Sequence, residues 1–228
     1  MLLGNFLPGL GELVIPRSCA GCGAAGDVLC GPCREKLRAT PRLISHRPRT
    51  LGMPVFALGP YDRMRRSLIV AMKEYNNQTV RAYVGAVLAA ALRYLHARGE
   101  IPHDLVLVPA PTRVRSARQR GGDPVLHMCE HAARTLAETP GAGLRVQVLA
   151  CLRIRSSAAD QSRLDAEARW ENMAHAIELR PSSRAQLRGT HVVLVDDVVT
   201  TGATLAASAS AVRGAGALVR AGLTLADA

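Results

Sequence analysis

Short apolar runs alternate with longer segments of helical periodicity through the second half of the chain. Asp104 to Pro109 (DLVLVP) and Val192 to Val195 are continuous apolar runs, typical of strands that are covered on both faces of a parallel sheet. Further strands are predicted at residues 55–58, 145–151, 176–179 and 217–225. This alternation predicts an α/β fold with a mostly parallel central sheet and helices on both faces, joined by right-handed crossovers.

Helical spacing of apolar residues marks four longer helices between these strands. They are predicted at residues 61–73, 79–98, 124–138 and 203–213. Thr79 and Gly99 are the expected start and stop signals of the second helix. Asp123 and Pro124 are the expected N-cap and first residue of the third.

The segment from Val192 to Leu205 (VVLVDDVVTTGATL) joins a strand to a helix through unusual chemistry. Asp196 and Asp197 follow the apolar run, and threonines with Gly202 open the helix. A helix N-terminus attracts an anion through its N–H groups and its dipole. Two carboxylates can accept hydrogen bonds from the vicinal hydroxyls of a ribose. The segment therefore predicts a sugar-phosphate site; the bland alternative, a simple helix cap, needs only one acid.

Two other phosphate-related classes fit this segment poorly. A strand that ends in Asp-Asp resembles a Walker B motif, but the chain contains no Gly-Lys pair for a phosphate-binding loop. The sequence therefore disfavours a nucleotide triphosphatase. A receiver domain also places acids at strand ends, but it has no use for the Thr-Thr-Gly-Ala-Thr loop.

The formal net charge of +11 suits phosphate-rich ligands or nucleic acid. Single arginines carry little weight, because Lys36 and Lys73 are the only lysines among 29 basic residues. Lys73 gains interest for the same reason. The chain has one Trp, two Phe and four Tyr, which argues against an aromatic platform for single strands.

Two polar segments are candidate partners of the sugar-phosphate site. An arginine-rich loop follows the strand at 104–109, at the sheet edge where α/β proteins bind ligands. It contains Arg113, Arg115, Arg118 and Arg120 and is interpreted as a pyrophosphate loop or, alternatively, a solvated turn. A long polar stretch, residues 152–173, is interpreted as a lid. Its lid candidates are Gln161, Arg169 and Asn172, and the alternative is a surface helix at 164–170.

Four cysteines near the N-terminus have the spacing C-x2-C-x7-C-x2-C. These are Cys19, Cys22, Cys30 and Cys33. Two such pairs can place four thiolates around zinc, in a closed structural site. Two disulfides or four free thiols are the alternatives. Disulfides are disfavoured because the first residues lack the basic region of a secretory signal and no apolar run is long enough to cross a bilayer. A cytoplasmic protein is expected.

Four other cysteine and histidine residues are interpreted as structural. Cys129 and Cys151 lie in apolar surroundings and are expected in the core. His127 and His131 share one helix face, but Glu130 is misplaced for a zinc-protease motif. We expect packing rather than metal binding from this pair.

The segment VVLVDDVVTTGAT resembles the phosphoribosyl pyrophosphate (PRPP) motif of type I phosphoribosyltransferases. Nearly the whole chain is similar to late competence proteins of the ComF family, which are amidophosphoribosyltransferase-like. The features that carry this similarity, besides the PRPP motif, are the cysteine pairs, the segments 61–73 and 108–121, and the pattern of Gln161, Arg169 and Asn172. The chain departs from that family in two places. Residues 120–124 read Arg-Gly-Gly-Asp-Pro instead of Arg-Gly-Phe-Asn-Gln, and a second cysteine cluster near residues 40 to 55 is missing.

The resemblance implies a type I phosphoribosyltransferase domain at 51–228 and a zinc-binding module and hood at 1–50. It implies binding of PRPP with Mg2+, with Asp196 and Asp197 as the catalytic carboxylates on the ribose. The remaining residues of the implied PRPP site are Val198, Val199, Thr200, Thr201, Gly202, Ala203 and Thr204. The implied pyrophosphate contacts are Lys73, Arg113, Arg118 and Arg120.

The function implied is transfer of the phosphoribosyl group to an acceptor that the sequence does not identify, in a protein linked to DNA uptake. The alternative is a non-enzymatic adaptor that uses the fold to bind or sense PRPP, with single-stranded DNA or uptake proteins as partners. An ordinary salvage transferase is a third possibility, and the zinc module argues against it.

Overall fold

The computed structural model describes residues 18–45, 52–112, 122–141, 143–155 and 176–228. These residues form six α-helices and eight strands. In chain order they are α1 (Gly31–Leu37), β1 (Arg42–Leu43), β2 (Val55–Ala57), α2 (Arg63–Lys73), α3 (Gln78–Ala97), β3 (Asp104–Pro109), α4 (Pro124–Ala137), β4 (Arg145–Val148), β5 (Leu152–Ile154), β6 (Ile177–Leu179), α5 (Arg184–Leu187), β7 (His191–Val199), α6 (Ala203–Arg213) and β8 (Leu218–Asp227).

Six strands form one sheet in the order β1-β2-β8-β7-β3-β4. The five strands from β2 to β4 run parallel, and only β1 is antiparallel to its neighbour. The centre of the sheet is β7, whose Val193 pairs with Leu107 of β3 and with Ala221 of β8. The predicted α/β architecture with a mostly parallel sheet is confirmed.

Helices cover both faces of the sheet and create two apolar cores. One core packs α2, α3 and α4 against residues such as Val193 and Val195. The other packs α6 against Val192 and Leu194. The apolar run in β7 is continuous because each face of this strand has its own core to fill.

Several predicted element boundaries were wrong: α2 begins at Arg63 rather than at residue 61, and β8 ends at Asp227 rather than at residue 225. β7 does not end at Val195 but continues to Val199, because Asp196 still pairs with Thr224 of β8. α3 begins at Gln78 with Asn77 as its cap, whose Oδ1 accepts the Val80 N–H at 3.0 Å, so Thr79 is already helical. The predicted strand 145–151 ends at Val148.

Other boundaries agree closely with the sequence prediction. β3 spans Asp104–Pro109 and α6 spans Ala203–Arg213, as predicted. Asp123 caps α4, where its Oδ1 accepts the N–H groups of Val125 and Leu126 at 2.9 and 3.2 Å. Cys129 and Cys151 are both fully buried in the cores, as predicted.

A separate two-stranded ribbon forms outside the main sheet. β5 pairs with β6 in antiparallel orientation, and Arg155 donates its N–H to the Ala176 carbonyl at 2.8 Å. Glu178 of β6 accepts hydrogen bonds from Arg155 and pairs with Arg153, which lowers the pKa of Glu178. The two strands bracket residues 156–175, which lie outside the described residues.

The cysteine-containing segment packs on the sheet's helices. Leu29 and Leu37 share a core with Met64 and Leu68 of α2. Arg65, 4% exposed, donates to the Lys36 and Leu58 carbonyls at 3.1 and 2.8 Å. The segment is thus fastened to the start of α2. The predicted domain boundary at residue 50 stays a prediction.

Candidate functional site

The carboxyl ends of the parallel strands bring the sequence-predicted residues to one edge of the sheet. β7 supplies Asp196 and Asp197, and the loop to α6 follows directly. The chain also leaves β3 next to these two carboxylates: Ala110, directly after β3, donates its N–H to the Val195 carbonyl at 2.7 Å. This is the edge at which open α/β sheets bind ligands.

Lys73 lies next to Asp197. Its Nζ forms an ion pair with Asp197 Oδ2, and the lysine side chain is one-third exposed whereas that of Asp197 is 8% exposed. The other carboxylate oxygen, Oδ1, accepts the Val198 N–H at 2.8 Å. The sequence singled out Lys73 because lysine is rare in this chain, and the structure places it at the predicted acidic pair.

Asp196 and Asp197 have different surroundings although they are adjacent. Burial raises the pKa of Asp196 well above its ordinary value, and the charge of Asp197 raises it further. The Asp197 N–H and the Lys73 ammonium oppose this shift. Within the part of the chain that the structure describes, Lys73 is thus the cation that pairs with Asp197 and also acts on Asp196.

The loop after β7 turns the chain sharply into α6. Gly202 has φ 81°, in the left-handed region that favours glycine. Thr201 Oγ1 accepts the N–H of Ala203, the first helical residue, at 3.3 Å. Thr200 is exposed and Thr204 half-buried. The loop thus presents threonine side chains and the N-terminus of α6 at the sheet edge that bears the two carboxylates.

Six predicted site residues fall outside the described part of the chain. These are Arg113, Arg118 and Arg120 of the arginine-rich loop, and Gln161, Arg169 and Asn172 of the polar stretch. The described residues fix where both segments leave and re-enter the fold. The first starts beside β7 and returns at Gly122, and the second starts and ends at the β5–β6 ribbon.

Sequence reasoning missed Arg81 of α3. Its side chain is fully buried, and it donates to the Met72 carbonyl and to His127 Nδ1. An arginine within an apolar helix face is the only signal that the sequence offered. His127 is held in this contact, in line with the structural role predicted for it.

The four predicted cysteines form one cluster. Their sulfur atoms all lie within 4.8 Å of one another, and they are the only group of this kind in the described ranges. The Cys30 N–H donates to Cys19 Sγ at 3.3 Å, and the sulfurs of Cys22 and Cys30 are 3.5 Å apart. Such a set of thiols can hold a metal ion such as zinc.

Backbone geometry and electrostatics support this cluster. Gly21 lies so close to it that a Cβ would be 2.9 Å from Cys33 Sγ, so only glycine fits there without a shift. Burial acts to raise the pKa of Cys19, but the N–H groups of Cys30, Cys22 and Gly21 outweigh it and lower the pKa to about 6. Burial raises the pKa of Cys33. A bound cation would favour the thiolate form of both.

One family comparison bears on this arrangement. Residues 131–227 match the family model of the phosphoribosyl transferase domain. The matched range runs from α4 to the end of β8 and includes the two carboxylates, the threonine loop and α6. The match supports the type I phosphoribosyltransferase fold predicted from the sequence.

No curated protein shows significant similarity to this chain. In the ranges that the structure describes, none of the helices is both long enough and apolar enough to cross a membrane.

Proposed function

We propose that this protein binds PRPP together with Mg2+ and transfers its phosphoribosyl group to an acceptor. One observation carries the proposal: the acidic pair Asp196 and Asp197 directly precedes the threonine loop at the start of α6, and Lys73 forms an ion pair with Asp197. The acidic pair and the loop both lie within the range that matches the phosphoribosyl transferase domain. Neither a helix cap nor a structural ion pair requires this combination.

The ribose and the 5′-phosphate are assigned to adjacent parts of one segment. Asp196 and Asp197 accept hydrogen bonds from the 2′- and 3′-hydroxyls. Backbone N–H groups and threonine hydroxyls between Thr200 and Thr204 hold the 5′-phosphate at the α6 N-terminus. Gly202 lets the backbone turn closely around that phosphate.

The pyrophosphate is assigned to Lys73 and the arginine-rich loop. Lys73 can reach an anionic ligand because a third of its side chain is exposed, while Asp197 holds its ammonium in place. Mg2+, brought with the substrate, would neutralise charge on the leaving pyrophosphate. The hard carboxylate oxygens of the acidic pair suit a site that contains this ion.

The reaction is a displacement at the anomeric carbon. The bond from C1′ to the pyrophosphate oxygen breaks, pyrophosphate leaves with the electron pair, and the acceptor forms the new bond to C1′. The sugar becomes cationic as the bond breaks, and the two carboxylates stabilise that charge. Closure of the polar stretch over the site excludes water that would otherwise hydrolyse the sugar.

Isothermal titration calorimetry with Mg2+–PRPP tests the binding step. We expect the Asp196→Asn/Asp197→Asn variant to lose most of the affinity while keeping the wild-type circular dichroism spectrum. Asp104→Asn is the matched control, since Asp104 is an exposed acid at the opposite end of the sheet, paired with Arg145. Equal affinity in wild type and the double variant would refute the assignment. A screen of amines and nucleobases for pyrophosphate release then identifies the acceptor class.

A second candidate function is the DNA-processing adaptor of a competence system. One groove favours it: a cavity of about 540 Å3 beside the cysteine cluster is lined by residues that include Arg63, Arg66 and Tyr75, and none of its described lining residues is acidic. An adaptor would bind single-stranded DNA with a steep dependence on salt. Arg63→Gln/Arg66→Gln should then abolish DNA binding without affecting PRPP, and DNA binding that is unchanged would exclude this groove. A cytoplasmic location, which keeps the four thiols reduced, belongs to both proposals.

A further inference from the structure

A buried arginine holds the end of the helix that carries Lys73. Arg81 of α3 is fully buried, and its Nε and Nη2 both donate to the Met72 carbonyl, at 3.1 and 2.6 Å. Met72 is in the last turn of α2, where carbonyls have no donor within the helix and the dipole favours a cation. Arg81 therefore caps α2 from a neighbouring helix, one residue before Lys73.

The same guanidinium reaches α4. Its Nη1 lies 2.7 Å from His127 Nδ1. A guanidinium can only donate, so Nδ1 accepts and the ring proton of neutral His127 is on Nε2. His127 in turn packs against Gly122, where an added Cβ would overlap with the ring. Gly122 is the first described residue after the arginine-rich loop, so Arg81 connects the Lys73 helix to the point where that loop returns.

A close helix–helix contact makes this reach possible. Gly85 lies one turn after Arg81, and a Cβ on it would overlap with Cβ of His131, one turn after His127. The two helices thus meet at two successive levels, Arg81 on His127 and Gly85 on His131. Any side chain at position 85 would push α4 away from the guanidinium.

Burying this charge is costly, and the cost points to a purpose beyond packing. Burial lowers the pKa of Arg81, and the Asp123 carboxylate opposes the shift. Two apolar helices of this kind can pack without a buried cation, and often more stably. What the arginine provides is a fixed position for the last turn of α2 and for the start of α4.

We propose that Arg81 is a positioning residue: it sets the place of Lys73 at Asp197 and fixes the end of α2 relative to the start of α4. Its effect on substrate rests on the proposed function, but its effect on Lys73 does not. The chain offers a direct readout, because Lys73 and exposed Lys36 are its only lysines. Their acylation rates can be followed separately by mass spectrometry.

Arg65→Met is the matched control for Arg81→Met. Arg65 is also a buried arginine; it lies in the first turn of α2, far along the helix from Lys73, and donates to the Lys36 and Leu58 carbonyls. Both variants lose one buried guanidinium, so both should lose stability. Only Arg81→Met should release the end of α2. We expect the acylation rate of Lys73 to rise about tenfold over wild type in Arg81→Met and to stay at the wild-type rate in Arg65→Met. Each rate is measured against a lysine-containing peptide added to the reaction, because Arg65 itself holds the Lys36 carbonyl.

The second measurement is the affinity for Mg2+–PRPP at a temperature where each variant is folded. We expect a loss of about tenfold in Arg81→Met and none in Arg65→Met. If Arg81→Met does not fold, Arg81→Lys carries the test, since a shorter side chain without the planar guanidinium fork does not reproduce both bonds to the Met72 carbonyl together with the bond to His127; Lys73 acylation should rise there too. Unchanged Lys73 acylation in the folded Arg81 variant, or an equal rise in Arg65→Met, would overturn the proposal. Wild-type protein that binds no PRPP would refute the proposed function and leave the acylation result to decide the role of Arg81.

Discussion

The ammonium of Lys73 and the carboxylate of Asp197 form an ion pair that joins the last residue of α2 to the central strand. Asp197 is almost fully buried, whereas Lys73 is open enough to touch a ligand. The pair therefore serves two purposes: it compensates a buried charge, and it holds a cation at the ligand-binding edge.

Lys73→Met should destabilise the protein by about 1 kcal/mol, because it leaves the buried Asp197 carboxylate without its counter-ion in a partly solvated pair. The Lys73→Met/Asp197→Asn double variant should regain much of that loss. Urea unfolding of the wild type, both single variants and the double variant measures the coupling as a double-mutant cycle. Additive losses would mean that the ion pair contributes nothing to stability.

The acidic pair should make stability depend on pH in a specific direction. The folded-state pKa of Asp196 is raised, so the folded protein keeps this proton at pH values where the unfolded chain has released it. The retained proton contributes to the free energy of unfolding. This contribution is largest at low pH and is lost as the pH rises from the ordinary carboxyl range through the folded-state pKa of Asp196. Asp196→Asn should remove this pH-dependent loss of stability, so the free energy of unfolding of the variant, relative to that of the wild type, should increase as the pH rises. Urea unfolding at several pH values gives both curves, and parallel curves would contradict the prediction.

The cysteine cluster should make folding depend on metal. Purified protein should carry about one zinc per chain, and a strong chelator should lower its melting temperature. Cys33→Ser should lose the metal, because it removes one of four thiols that lie together. Cys151→Ala is the control, since Cys151 is buried far from the cluster in the other core and should keep the metal. Elemental analysis and thermal unfolding decide between these outcomes; full metal content in Cys33→Ser would exclude the site.

Two glycines with similar positive φ angles allow an effect on stability to be distinguished from an effect on ligand binding. Gly202, at the start of α6, has φ 81°, and Gly189, before β7, has φ 73° and open space where a Cβ would lie. Replacement of either by alanine should cost about 1 kcal/mol, because alanine is disfavoured at positive φ. Only Gly202→Ala should also weaken Mg2+–PRPP binding. Equal affinity in the two variants would argue against a phosphate at the α6 N-terminus.

The sequence predicted well those features that are set by local pattern. β3 and α6 were placed correctly, because a strand covered on both faces and a helix closed by small residues carry strong signals. The length of β7 was underestimated, because acids usually end an apolar strand. Here Asp196 and Asp197 stay in the strand, with Oδ1 of each accepting the next backbone N–H.

Features that depend on packing between distant segments could not be predicted. Lys73 and Asp197 are far apart in sequence, and only the tertiary fold, which places the last residue of α2 beside β7, brings them together. The role of Arg81 is hidden for the same reason, since its partners are a carbonyl in α2 and a histidine in α4. The cysteine spacing, by contrast, was sufficient to predict that the four thiols lie together, because these residues are close in sequence.

The β5–β6 ribbon has a consequence for how the chain can vary. It ties Arg155 to Ala176 by one backbone hydrogen bond, so residues 156–175 leave and rejoin the fold at a single point. The main sheet contains neither strand of the ribbon. A change in the number of residues between Arg155 and Ala176 therefore leaves the strand register of the main sheet unaltered.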